Sequence, residues 1–148
     1  GGLERREQAY RTILEAYGVT GEDQIVYNGE FTEESGEELT ARALAEHPEI
    51  TAVLYAYNIQ ARGGVDFLSR KGIRVGEDIS ITGFDNQEMA EYLSPGLTTM
   101  ELNLHRIGHE AARILLDRLA LEDGEGAEKE TELYIPCNFI ERKSVKRI

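Results

Sequence analysis

The chain has little of what would tie it to an oxidising compartment, a nucleic acid or a membrane. It carries a single cysteine, Cys137, in 148 residues. No internal disulfide can form, and the cytosol is the expected compartment. Basic residues number 16 against 28 acidic ones, a net charge of −12, so the surface repels phosphate backbones and argues against direct nucleic-acid binding by these residues. No apolar run approaches the roughly 20 residues that span a bilayer. The opening Gly-Gly-Leu-Glu-Arg-Arg has neither the apolar core nor the cleavage site of a secretory signal. Catalytic signatures are missing too: no glycine-rich phosphate loop opens the first predicted helix, no Gly-x-Ser-x-Gly elbow occurs, and no paired carboxylates face a plausible pocket. Neither enzymatic activity nor a cofactor is expected. His105 and His109 stand four apart on a predicted helix, but without a third ligand they predict no metal site, and His47 is remote from both. Cys137 has no histidine or basic partner close in sequence and reads as a plain strand residue.

What is present is a regular alternation of strand and helix. The hydrophobic set makes up 41% of the chain, enough for one compact domain with a core. Ala9, Tyr10, Ile13, Leu14 and Tyr17 line one side of a helix over Glu4 to Tyr17, ended by Gly18. Gln24 to Asn28 is short and β-branched and predicts a strand. A second helix is announced by the capping-box pattern Ser35-Gly-Glu-Glu38 and should close at His47-Pro48. Thr51 to Tyr57 is almost unbroken apolar sequence, the mark of a central strand in a parallel sheet. A helix over Ile59 to Lys71, a strand at Ile79 to Phe84 and another at Leu97 to Met100 follow. A long helix from about Asn103 to Leu121 has Leu104, Ile107, Ala111, Ile114 and Leu115 on the stripe expected to be buried. Glu122 to Glu130 reads as a solvated loop. Thr131 to Ile135 and Phe139-Ile140, interrupted by Pro136, form a strand expected at a sheet edge, because proline donates nothing to a ladder. The pattern predicts an α/β fold of Rossmann-like type, an open and mostly parallel sheet with helices on both faces.

In such sheets ligands bind beyond the carboxyl ends of the strands, which directs attention to Tyr27-Asn28, Tyr57-Asn58 and Asp85-Asn86. Asp85 can accept two hydrogen bonds from neighbouring hydroxyls, as sugar recognition requires; a turn aspartate bonding its own backbone is the equal alternative. Asn58 offers an amide donor and acceptor, but fits an N-cap slightly better. Tyr57 can present a ring to the apolar face of a sugar and a hydroxyl to its edge. Arg5 and Arg6 sit at the helix end where the macrodipole disfavours cations. A grip on a ligand would account for one of them, while Arg5 reads better as an exposed end. Phe31, in the polar loop Asn28 to Glu34, is placed either to stack on a ligand or to fold back on the core.

Several ordered blocks resemble the lactose repressor family. They are Gly76-Glu-Asp-Ile-Ser-Ile-Thr-Gly-Phe-Asp-Asn86, Ala90-Glu-Tyr-Leu-Ser-Pro95, Leu97-Thr-Thr-Met100, Gly108-His-Glu-Ala-Ala-Arg-Ile-Leu-Leu116, Ile135-Pro136 and Glu141-Arg-Lys-Ser144. The resemblance runs from about Glu4 to Val145. It implies a two-lobed effector-binding core resembling sugar-binding periplasmic proteins, joined to a helix-turn-helix headpiece that lies outside this chain. The chain would then be one effector-binding unit over 1–148, with the second lobe at about 4–100 and 131–145 and a returning helix of the first lobe at about 103–121. The second lobe's first strand would also be missing. The helix stripe that packs on the other lobe would need a different partner here, and self-association is the expectation.

Carried over position by position, the resemblance gives ligand roles to Arg6, Phe31 and Asp85, and puts Tyr57-Asn58 where the family usually has Asn-Asp. That departure leaves the common pentose and hexose geometries open. The resemblance further implies a small polyhydroxylated effector and a homodimer through about Arg62 to Arg70 and Glu88 to Leu93. Operator DNA would be contacted only through the headpiece, and one lobe alone would hold effector weakly. Two other readings use the same alternation: a periplasmic-type sugar-binding protein, and a flavodoxin-like signalling domain with Asp85 as phosphoacceptor. The second needs acidic partners for Mg²⁺ near the first strand, where only Asn28 and Glu30 stand.

Overall fold

A computed structural model describes residues 2–85, 88–120 and 132–146; the predicted loop at Glu122 to Glu130 lies outside them. Helix α1 (Gly2–Ala16) ends as expected. Gly18 turns left-handed at φ 82°, and the Val19 amide reaches back to the Leu14 carbonyl at 2.9 Å. Helices α2 (Glu33–Glu46) and α3 (Asn58–Arg70) follow. The strands are β1 (Ala52–Leu54), β2 (Ser80–Phe84), β3 (Thr98–Glu101) and β4 (Asn138–Ile140), with the short α4 (Met89–Tyr92) before β3 and α5 (Leu104–Leu119) after it.

Among the described residues four strands form one open sheet in the order β1-β2-β3-β4, the first three parallel and β4 antiparallel at one edge; β1 is the other edge and not the central strand its apolar run predicted, being three residues long with Ala52 and Leu54 exposed. Ile81 and Gly83 on β2 look toward α3, where Ala61, Val65 and Leu68 close a core with Tyr55, Ile79, Ala90 and Leu97. Ser80, Thr82 and Phe84 alternate to the other face, which α1 addresses through Arg6 and the ring of Phe84. Ser144, wholly buried, sews the returning chain to the sheet: its hydroxyl donates to the Ile81 carbonyl at 2.6 Å and accepts from the Thr98 amide at 2.7 Å.

Several sequence expectations need correction. Gln24 to Asn28 is not a strand: it makes no ladder among the described residues, and Gln24 instead turns its amide to the carbonyls of Val19 and Arg11. The cap of α2 is Thr32, whose hydroxyl accepts from the Ser35 amide at 3.1 Å, and Ser35 lies one turn inside. The last strand begins only at Asn138, so residues 132–137, including the exposed Cys137, precede it as coil. Helix α5 has the predicted extent, but no residue on it is buried, and Leu104, Ile107, Leu115, Leu116 and Leu119 are exposed.

Candidate functional site

At the carboxyl end of the sheet, segments far apart in sequence meet around one guanidinium. Arg6, on the first turns of α1, donates from Nη1 to the Ala56 carbonyl at 2.7 Å, just past the end of β1. Its guanidinium carbon lies 3.9 Å from the ring centre of Phe84 and 5.3 Å from that of Tyr57. Its Nη2 stands 3.7 Å from Asp85 Oδ1. The ring of Phe31 meets that of Tyr57 edge-on, with centroids 4.5 Å apart and planes at 89°, the offset that the ring quadrupole favours. A cation at a helix N-terminus, costly by itself, is here fixed by a carbonyl, two aromatic rings and a carboxylate.

Each partner is placed by local structure. Tyr57 is the extended residue that caps α3. Phe31 immediately precedes the Thr32 cap of α2, and its loop is held to α3 by the Gln60 amide donating to the Glu30 carbonyl at 2.9 Å. Phe31 is 57% exposed, open for contact with a further molecule. Phe84 ends β2, and Asp85 follows with φ 100°, a conformation that non-glycine residues rarely adopt. The Asp85 side chain is only 18% exposed. Burial raises its carboxyl above the usual value, and the Arg6 charge, at the long side of ion-pair distance, offsets this only in part.

Arg6, Phe31, Tyr57 and Asp85 thus come together as the sequence led one to expect, and Arg5 stays exposed. Asn58 meets neither of its two expectations: Tyr57 and not Asn58 is the N-cap of α3, and the Asn58 side chain does not join the other four. It is 1% exposed and turns inward, accepting from the Thr99 hydroxyl at 3.3 Å, so it lies beneath the surface on which the other four converge. Phe84 was missed: strand alternation turns it away from the core and toward α1, a signal available once β2 was in register. Among the described residues no group of three or more histidine, cysteine, aspartate or glutamate side chains could hold a metal ion, and no helix is long and apolar enough to cross a membrane.

Comparison with known proteins agrees with this architecture. Residues 2–145 match the model of the periplasmic binding protein-like domain. The HTH-type transcriptional repressor PurR of Mannheimia succiniciproducens is 34% identical over 144 residues, which is 97% of this chain and 42% of that protein. The PurR repressor of Haemophilus influenzae is 34% identical over 143 residues, with the same shares. This chain therefore spans about two fifths of those relatives. Among solved structures, a LacI family regulator from Enterococcus faecium with bound ribose superposes with a TM-score of 0.80 at 28% identity, covering 93% of this chain and 49% of that one. The transcriptional regulator CelR in complex with cellobiose gives 0.82 at 30% identity, covering 94% and 41%. The chain belongs to the periplasmic binding protein-like domain family, in the form carried by transcription regulators of the lactose repressor family.

Proposed function

We propose that this chain is the effector-sensing and dimerising portion of a cytoplasmic transcriptional repressor, without enzymatic activity, whose ligand is a small polyhydroxylated, sugar-like molecule. The observation that carries the reading is the convergence of Arg6, Asp85, Tyr57 and Phe31 at the carboxyl end of the sheet. A carboxylate accepts from adjacent hydroxyls, a guanidinium donates to ring and hydroxyl oxygens, and aromatic faces cover the apolar side of a sugar. Residues at about 4–100 and 131–145 would form one lobe, with α5 returning to the other and its apolar stripe covered there. Effector closing the two lobes would select one interlobe angle and so set the spacing of a helix-turn-helix headpiece on operator DNA. The charge of −12 fits a portion that leaves DNA contact to another segment.

The test is calorimetry on the full-length regulator, with ligands first found by screening monosaccharides, disaccharides and nucleobases, since flat heterocycles would also stack on these rings. Arg6→Ala and Asp85→Ala should each weaken binding about tenfold or more, the cost of a lost charge-assisted hydrogen bond. Unchanged affinity in both variants would remove the site from consideration.

A homodimer would use the outer side of α3, Arg62 to Arg70, together with Glu88 to Leu93. Arg62 and Arg70 on that side are already paired within the chain, to Glu33 and Glu37 of α2, so the apolar part of the contact would fall to Tyr92 of α4, which is 82% exposed. Tyr92→Asp is expected to weaken dimerisation about tenfold or more in sedimentation equilibrium, as loss of a buried aromatic anchor does. An unaltered dimer constant would place the interface elsewhere.

A further inference from the structure

Asn58 is the first residue of α3, directly after Tyr57, and is nearly without solvent contact. Its side-chain oxygen accepts from the Thr99 hydroxyl on β3. A Cβ added to Gly83 would fall 2.3 Å from that same oxygen, so the amide is seated directly against the backbone of β2, one residue before Phe84 and two before Asp85. One side chain therefore joins the start of α3 to the end of β2 at Gly83 and to β3 at Thr99. Tyr57 belongs to the first of these and the Phe84-Asp85 pair to the second.

The amide nitrogen of Asn58 is buried and has no hydrogen-bond partner among the described residues. A buried donor left unpaired costs free energy that an apolar side chain of the same size would not. Local inconsistencies of this kind gather where geometry for binding outweighs stability.

We propose that Asn58 is the positioning residue of the site: a wedge that sets the distance between Tyr57 and the Phe84-Asp85 pair without itself reaching the ligand. Its importance for binding rests on the effector-site reading above, whereas its effect on geometry does not need a ligand to be measured. Leucine at this position keeps the volume and removes the amide. It leaves α3 and β2 in contact but frees them to slide, because apolar contact is not directional. Valine at position 99 removes the hydroxyl donor and leaves Asn58 in place.

The experiment is an NMR titration of the present chain with carboxyl-labelled aspartate, the Asp85 signal being assigned by its loss in Asp85→Asn. In Asn58→Leu the unfolding midpoint should hold or rise, because the buried amide is gone, whereas in Thr99→Val it should fall, because the buried Asn58 oxygen loses its donor. In both variants the site geometry should loosen. The Asp85 titration should shift downward as water reaches the carboxylate, and the cross-peaks between the Phe31 and Tyr57 rings should weaken. If Asn58→Leu fails to fold, Thr99→Val decides alone. A folded variant with the Asp85 titration and the ring cross-peaks both unchanged overturns the proposal. Failure of the full-length regulator to lose affinity on Arg6→Ala and Asp85→Ala would refute the effector site instead, leaving the NMR outcome standing.

Discussion

Gly63→Ala is expected to force α2 and α3 apart and to lower stability by about 1–3 kcal/mol or more, the range for overpacking a close-packed contact. A Cβ on Gly63 would lie 1.9 Å from the Glu33 carbonyl oxygen, and one on Gly36 would lie 2.0 Å from the Gln60 carbonyl oxygen. The two glycines are reciprocal: each helix presses bare backbone against the other. No side chain can swing aside to relieve such a clash, because the obstacles are main-chain atoms of helices. Ordinarily an alanine replacing a helical glycine gains about 1 kcal/mol, so the substitution reverses its usual sign here. Gly108 supplies the control. It lies within α5, and a Cβ added there would meet nothing within 4 Å, so Gly108→Ala should stabilise the helix by up to about 1 kcal/mol. Urea midpoints for the two variants should therefore move in opposite directions; equal midpoints would contradict the close approach. Spreading α2 from α3 would also reach the site, because Gln60 holds the loop that carries Phe31.

Much of the fold was legible because its signals are local. The apolar run ending at Tyr57 marks a strand, though not its place in the sheet, and the one-sided apolar spacing on α1 and α5 marks helices from within. The failures occurred where a partner decides. Gln24 to Asn28 has strand composition, but a strand needs a ladder, and Gln24 is committed to carbonyls of the preceding helix and turn. The α5 stripe was legible as a stripe and not as buried, since amphipathicity states which side wants cover and not whether cover is present. Thr32 displaced Ser35 as the cap of α2 because both are good caps and only Thr32 has the extended backbone a cap requires. At the site, the strand-end rule found Tyr57, Asn58 and Asp85 together but could not say which side chains point outward. Asn58 turned in because Gly83 leaves room for its amide, a contact across 25 residues of chain that no spacing announces.

Asp85→Gly is expected to raise stability at neutral pH while removing effector affinity. The residue holds φ at 100°, a conformation that costs a non-glycine residue about 1–3 kcal/mol and glycine almost nothing. The greater freedom of glycine in the unfolded chain returns about 0.4–1 kcal/mol of that gain. The carboxylate adds a second cost. Burial raises its pKa in the folded protein, so between the unfolded value and the raised one the folded state holds more protons. Stability then falls as pH rises through that window, and the cost is fully present above it. Asp85→Asn, which keeps the backbone strain and removes the charge, separates the two contributions. Its advantage over the parent should be present at pH 7 and vanish on acidification below the ordinary carboxylate range, whereas the backbone part of the Asp85→Gly gain should persist. Denaturant titrations at both pH values measure this directly, and an Asp85→Gly variant less stable than the parent at pH 7 would overturn the expectation that strain and burial outweigh the attraction of Asp85 to Arg6. Backbone strain and a partly buried carboxylate thus coincide at one strand end. Together they hold a hydrogen-bond acceptor beside Arg6, whose guanidinium also lies over the ring of Tyr57.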